Sequence, residues 1–268
     1  MAPVKRNDSR AGRTYTIDGV GTVPSVTTIL SVISKPALVN WAAKTERTLV
    51  MDAAADLYLD LLQCKPMGRP TYLSTLDGRV GATKAHQREL AKAAEIGTQA
   101  HALVEWNLRR QLGQVVGPEP RITDEAQWAF MAWQDWAASV QLEPVFVEQT
   151  VWSTVHRYAG TLDLLARVNG KLTVLDWKTG KAIYAEAKLQ NVAYRQAVAE
   201  MGHGEPEQGL IVRLPKVTSD PAFEVAEVPP VADLWSVFLA VRALYDWWAA
   251  EDQKGLAAWQ AKRDGGGA

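Results

Sequence analysis

The sequence predicts an α/β fold, with a mixed central sheet flanked by helices, on three observations. Two apolar runs, Gly160 to Val168 and Lys171 to Trp177, are joined by Asn169-Gly170, a dipeptide that accepts the positive φ of a two-residue type I′ hairpin turn. A helical pattern from about Ala185 to Met201 then leads into a further apolar run, Gly209 to Leu214. Upstream lie two long Ala- and Leu-rich stretches with helical spacing, Ala37 to Leu62 and about Val80 to Leu112.

Taken in order, residues 1 to 13 read as a disordered basic tail. Thr14 to Asp18 alternate into a short strand, Ser25 caps a helix through Ile33, and Pro36 opens the next helix. Lys65 to Gly78 reads as a loop, because Pro66, Gly68, Pro70 and Gly78 interrupt it. Thr123 caps a helix from Asp124 to Val140 that presents Trp128, Met131, Ala132 and Trp136 to a core. A strand from Pro144 to Trp152, carrying Glu148, precedes the hairpin, and Ala222 to Val228 supplies the last strand. Pro229-Pro230 opens a final helix from Val231 to about Ala261, whose Trp235, Trp247 and Trp248 are assigned to core packing. Residues 263 to 268 read as a flexible tail. With no Ser/Gly/Pro-rich linker, residues 14 to 262 are expected to form one domain. It has a helical part at about 25–141, a catalytic core at about 144–228 and a C-terminal helix at about 231–261.

The hairpin carries the chemistry. A two-residue turn pairs each residue with its mirror image across the turn, so Leu165 faces Val174 and Asp163 faces Asp176, with Cβ atoms roughly 4.5 to 5.5 Å apart. Two carboxylates at that distance repel each other, and the surrounding residues are mostly apolar. The alternation of a strand places Lys178 on the face of Asp176, and a divalent cation bridged by both aspartates would complete the neutralisation. These are the parts of metal-assisted phosphodiester hydrolysis: the cation polarises a phosphoryl oxygen and acidifies water, while the lysine orients or deprotonates that water. An Asp-x-Lys triplet near a strand end is by itself more often a solvated surface feature.

Gly160-Thr161-Leu162-Asp163 followed by Leu175-Asp176-Trp177-Lys178 resembles the PD-(D/E)XK nuclease core, and in particular its RecB-like branch. That branch carries a Gln-x-x-x-Tyr helix after the lysine, matched by Gln190 and Tyr194, and an upstream G-T-x-x-H segment, matched by Gly97, Thr98 and His101. The Pro24-Ser25-Val26-Thr27 and Gly209-Leu210-Ile211-Val212 segments also resemble those of the mitochondrial genome maintenance exonuclease and phage RecB-like exonucleases. The resemblance implies a restriction-endonuclease-like fold and a metal site made by His101, Asp163, Asp176 and the Trp177 backbone carbonyl. It implies Mg²⁺ or Mn²⁺ as cofactor, catalysis by Asp163, Asp176 and Lys178, and DNA contacts from Gln190 and Tyr194. His101 alone would more often be a packing histidine; the resemblance reverses that reading. Gln190 and Tyr194, four apart on one helix face, present an amide and a phenol toward either the lysine or a phosphate. Lys188 and Arg195 are candidate phosphate contacts, and Glu148 could assist a second metal.

Composition narrows the class. The content of 47% hydrophobic and 22% charged residues suits a soluble globular chain, and no apolar run approaches the roughly 20 residues of a membrane span. The N-terminus lacks the apolar segment of a secretory signal, and the single cysteine, Cys64, suits a reducing compartment, so a cytoplasmic location is expected. One cysteine also excludes the four-cysteine iron–sulfur cluster of some RecB-like nucleases, and no Gly-x-x-x-x-Gly-Lys-Ser/Thr loop provides an ATP site. A helicase or recombinase would be a separate partner. The net charge of −1 gives no overall nucleic-acid signature. Yet residues 1 to 50 carry Lys5, Arg6, Arg10, Arg13, Lys35, Lys44 and Arg47 against Asp8, Asp18 and Glu46, a local +4.

The expected activity is divalent-metal-dependent exonuclease cleavage of single-stranded or end-processed DNA, in replication, recombination or repair. A structure-specific or restriction-like endonuclease on the same core and a catalytically idle DNA-binding recombination scaffold are the alternatives. The two helical stretches before the core are expected to arch over the site and admit a single strand with a free end.

Overall fold

In the computed structural model, Asn169 and Gly170 both take positive φ, 50° and 84°, and join β5 (Tyr158–Val168) to β6 (Lys171–Lys178) in the expected I′ turn. The register is the mirror-image one, from Val168↔Lys171 to Leu164↔Leu175. The structure describes residues 3–9, 11–63, 67–217, 219–220 and 222–265, with side chains described up to 254; Cys64 and residues 266–268 of the expected tail lie outside them.

The hairpin is the centre of a five-stranded sheet of order β4-β5-β6-β7-β8, with β4 Leu142–Ser153, β7 Gln208–Arg213 and β8 Glu224–Glu227. All neighbours are antiparallel except β6 and β7, which are parallel because helix α6 (Ala185–Glu200) crosses between them. The α/β fold with a mixed, helix-flanked sheet is therefore as expected.

Both faces of the sheet are covered. Leu165 and Val174 pack with Leu189, Ala193, Tyr194, Ala197 and Val198 of α6, and with Phe238 of the last helix, α7 (Val231–Gly265). On the other face Trp177 meets Trp133 and Trp136 edge-on, with ring centroids 6.4 and 5.5 Å apart; both belong to α5 (Asp124–Ala138). Thr123 caps α5 as expected, but its buried stripe runs through Ala126, Ala129, Phe130, Ala132, Trp133 and Trp136, leaving Trp128 and Met131 exposed. Trp247 and Trp248 of α7 are likewise exposed rather than in a core. Indole area made them look like core residues, but their helix faces point outward.

The N-terminus departs most from expectation. Val4–Ser9 (β1) and Gly12–Ile17 (β2) form an antiparallel hairpin, extended by Gly21–Pro24 (β3), so residues 4–9 are strand rather than disordered tail. Apolar residues anchor it: Tyr15, Ile17 and Val23 are buried with Ala159 of β5. Ser25 caps the short helix α1 (Val26–Leu30).

The chain's contacts form two compact units, residues 1–33 with 97–268 and residues 34–96. The second unit contains α2 (Pro36–Gln63) and α3 (Arg69–Val80), and α4 (Ala85–Gln111) begins in it. Helix α3 occupies most of the segment expected to be a loop. Pro70 sits in its first turn, where a missing N–H costs nothing, and exposed Gly78 is tolerated near its end. Within this unit His86 Nδ1 lies 2.7 Å from Glu46 and its ring meets Trp41 edge-on.

Trp136 is 1% exposed and braces Trp177, so Trp136→Ala should destabilise the sheet-bearing unit by about 3–5 kcal/mol in denaturant titration. A loss below about 1 kcal/mol would show that this face of the sheet is not a packed core.

Candidate active site

Residues on three adjacent strands converge. Val147↔Leu164 and Gln149↔Leu162 bracket Glu148 opposite Asp163, and Leu164↔Leu175 sets Asp163 opposite Asp176, so three carboxyls cross β4, β5 and β6 in a row. Regular pairing gives way there: the Trp177 N–H donates to Asp163 Oδ2 at 2.7 Å. Glu148 holds φ at 48°, a left-handed conformation that costs a non-glycine residue about 1 kcal/mol or more.

His101 comes from α4, on a segment of the same compact unit, with Nδ1 3.7 Å from Asp163 Oδ1. Gly97 lies one helical turn earlier, and a Cβ there would stand 2.9 Å from Thr179 Oγ1, so glycine lets the helix approach the turn after Lys178. The Trp177 carbonyl is expected as a metal ligand; the Trp177 backbone beside the His101 ring favours its protonated form, against the larger effects of burial and Lys178.

Lys178 Nζ lies 2.6 Å from Asp176 Oδ2 and donates to Gln190 Oε1 at 3.2 Å, and Gln190 Nε2 in turn donates to the Tyr194 hydroxyl at 3.0 Å. Of the two orientations open to the Gln-x-x-x-Tyr face, the structure adopts the one toward the lysine. Tyr194 is 3% exposed, and Gly160 makes its room: a Cβ at Gly160 would fall 2.4 Å from Tyr194 Cε1. The candidate phosphate contact Arg195 is also buried, its guanidinium donating to the carbonyls of Pro206, Glu207 and Pro229, so it holds loops together.

These groups open on a cleft of about 430 Å³ whose rim includes Thr98, Glu105, Thr161, Arg6 and Arg13. Burial raises Asp163 and Asp176 to about 6 despite Lys178, and raises Glu148 to about 8 with help from the Asp163 charge. Burial and Lys178 lower His101 to about 4, so its imidazole is neutral and free to act as a ligand. Burial disfavours the Lys178 charge, but Asp176 and Asp163 outweigh it and hold the group as an ammonium above its usual range.

The residues fit a divalent cation. One ligand atom each from His101, Glu148 and Asp163 lies within 4.8 Å of the others, a mixed nitrogen–oxygen set suited to Mg²⁺ or Mn²⁺. Asp176 stands beside this trio, buried, with neither carboxylate oxygen in a well-formed hydrogen bond and Lys178 against one of them. Glu148 therefore joins the cluster more closely than expected. The hairpin arithmetic could not reach it, because β4 and β5 are joined by the longer turn 154–157, whose sequence does not fix a register as a two-residue turn does; past that turn the pairing keeps one register from Ser153↔Tyr158 to Phe146↔Leu165.

Residues 71–262 match the family profile of the PD-(D/E)XK nuclease superfamily, and the chain belongs to that family. No curated protein matches it. The family makes the chain a nuclease, divalent metals are the family's usual cofactors, and the His101, Glu148 and Asp163 cluster could hold one. Among the described residues, no helix is long and apolar enough to cross a membrane.

Two outcomes are expected. The three carboxyls bind more protons folded than unfolded between about pH 4 and 8, and outweigh the opposite effect of His101 below about 6.5, so cation-free stability falls as pH rises through that window. Divalent cations bind the deprotonated set, so thermal melts should show a Mn²⁺-induced rise in Tm that grows with pH. An equal rise at both ends of the window would contradict it. Separately, Gly160→Ala should displace Tyr194, loosen Lys178 and lower turnover at least tenfold while Mn²⁺ affinity, measured calorimetrically, stays near wild type.

Proposed function

We propose that the protein is a divalent-metal-dependent deoxyribonuclease of the RecB-like branch, working as an exonuclease on single-stranded or end-processed DNA in replication, recombination or repair. The observation that carries the reading is the row Glu148, Asp163 and Asp176 in one cleft with His101 and Lys178. The order of the G-T-x-x-H, G-T-L-D, L-D-W-K and Gln-x-x-x-Tyr segments supports the branch. A cytoplasmic setting and a separate helicase or recombinase partner belong to the same proposal.

A cation bound by His101, Glu148 and Asp163, with Asp176 adjoining, would polarise the scissile phosphoryl group and acidify water. The chain's own groups do the rest. Lys178, kept charged by Asp176 and Asp163, acts as a fixed cation that orients the attacking water and offsets the negative charge growing on the phosphate, rather than as the base. Gln190 and Tyr194 hold Lys178 in place, and His101 enters as a neutral nitrogen ligand.

Asp163→Asn or Lys178→Ala should reduce hydrolysis of end-labelled DNA by a factor of 10² or more, an order-of-magnitude expectation, while DNA binding changes far less. Unchanged turnover in either variant would favour a catalytically idle scaffold. With Mg²⁺ or Mn²⁺ the wild type should degrade linear single strands and spare covalently closed single-stranded circles. Equal cutting of circles would instead mark an endonuclease.

A further inference from the structure

The N-terminal hairpin carries charges that the catalytic groups do not use. Side chains alternate across β1 and β2, and the register Arg6↔Tyr15 and Asp8↔Arg13 places Arg6, Asp8, Arg13, Tyr15 and Ile17 on one face. The apolar half of that face is the anchor: Tyr15 and Ile17 are buried against Ala159, and the Tyr15 hydroxyl lies 3.0 Å from Thr161 Oγ1, two residues before Asp163. The charged half continues outward, so Arg6 and Arg13 reach the rim of the cleft that holds Asp163, Asp176 and Lys178.

Arg13 is fixed with care for a surface residue. Its N–H donates to Thr28 Oγ1 at 2.8 Å, and its carbonyl accepts from Thr28 Oγ1 and from the Ser25 N–H, each at 2.9 Å. Ser25 Oγ donates to Thr28 Oγ1 and caps α1. A Cβ on the preceding Gly12, whose φ is 121°, would lie 2.5 Å from Thr28 Cγ2, so only glycine lets the hairpin turn in this close. The Pro24-Ser25-Val26-Thr27 segment, which the catalytic reading leaves without a task, therefore serves to hold Arg13.

Both guanidiniums are aligned through Asp8: Arg6 Nε lies 2.8 Å from Oδ2 and Arg13 Nε 2.8 Å from Oδ1. The Arg6 and Arg13 side chains remain 47% and 35% exposed; Asp8 takes only their Nε atoms and the Tyr15 hydroxyl also lies against the Arg13 guanidinium, which leaves further terminal N–H groups of each fork to meet a ligand. Two such cations at the edge of an acidic cleft match an anion that must lie close to carboxylates, and planar forks suit phosphate oxygens. A polynucleotide strand supplies that anion repeatedly, one phosphate beyond another.

We propose that Arg6 and Arg13 form a clamp on the backbone phosphate next to the one that is cut, acting as positioning residues that hold the strand in the cleft. The inference rests on the nuclease reading and extends it to how substrate is bound. It assigns the basic N-terminal residues to a folded element rather than to diffuse attraction. Because the clamp grips phosphate, it is indifferent to base sequence.

The test uses the full chain. Arg6→Gln and Arg13→Gln should each raise KM for a labelled single-stranded oligodeoxynucleotide about tenfold while kcat changes less than about twofold. In the Lys178→Ala background, each should also lower the slope of log affinity against log salt by about 0.7. Arg13→Lys should restore the salt slope. Lys171→Gln, an exposed cation at the far end of the β5–β6 hairpin, is the control and should leave KM unchanged. If the wild type cuts the strand and both glutamine variants keep wild-type KM and salt slope, the clamp is wrong and the nuclease reading stands. If the wild type cuts no strand under any divalent cation, the nuclease reading falls and takes the clamp with it.

Discussion

Carboxylates on neighbouring strands repel, and here three of them, Glu148, Asp163 and Asp176, are set side by side in a sheet covered on both faces. Burial pushes all three toward the protonated form, and the Asp163 charge adds to it at Glu148 and Asp176, so the arrangement is one that folding alone would not favour. Much of the nearby structure follows from containing it. The sheet gives up a regular ladder position so that the Trp177 N–H can reach Asp163, and Lys178 is drawn against Asp176. Glu148 accepts a left-handed backbone in mid-strand. A site that keeps this much local conflict is best explained by a ligand of opposite charge, which a divalent cation supplies.

The glycines and the Gln-x-x-x-Tyr helix make sense on the same terms. Gly160 has no conformational peculiarity; it is small because Tyr194 lies on it, and Tyr194 steadies Gln190, which steadies Lys178. Gly97 is small because α4 must pass near Thr179 to bring His101 to Asp163. Family signatures that look like separate motifs in a one-dimensional reading are thus the two sides of single contacts.

The central hairpin was legible from the sequence because its register depends only on a two-residue turn, and Asn169-Gly170 specifies that turn almost alone. Glu148 was legible as a residue but not as a member of the row, since the longer turn between β4 and β5 does not fix a register from its sequence. Of the N-terminal hairpin, the second strand was legible at Thr14 to Asp18, while the first was missed for a different reason. The hairpin's strands are short and its inner face is half charged, so Arg6, Asp8 and Arg13 resemble a solvated tail until Tyr15 and Ile17 are seen to anchor it. Trp128, Trp247 and Trp248 failed in the opposite sense: large apolar side chains suggested burial, while helix phase put them outside. Helix α3 shows that Pro is tolerated in the first turn of a helix and an exposed Gly near its end.

The central claim is that the carboxylate row exists to hold a divalent cation. The most direct measurement is an anomalous-difference map from crystals soaked in Mn²⁺. The account predicts a peak among the side chains of His101, Glu148 and Asp163, beside Asp176. Crystals that show no peak in this cleft under saturating Mn²⁺, with the four side chains ordered, would contradict it.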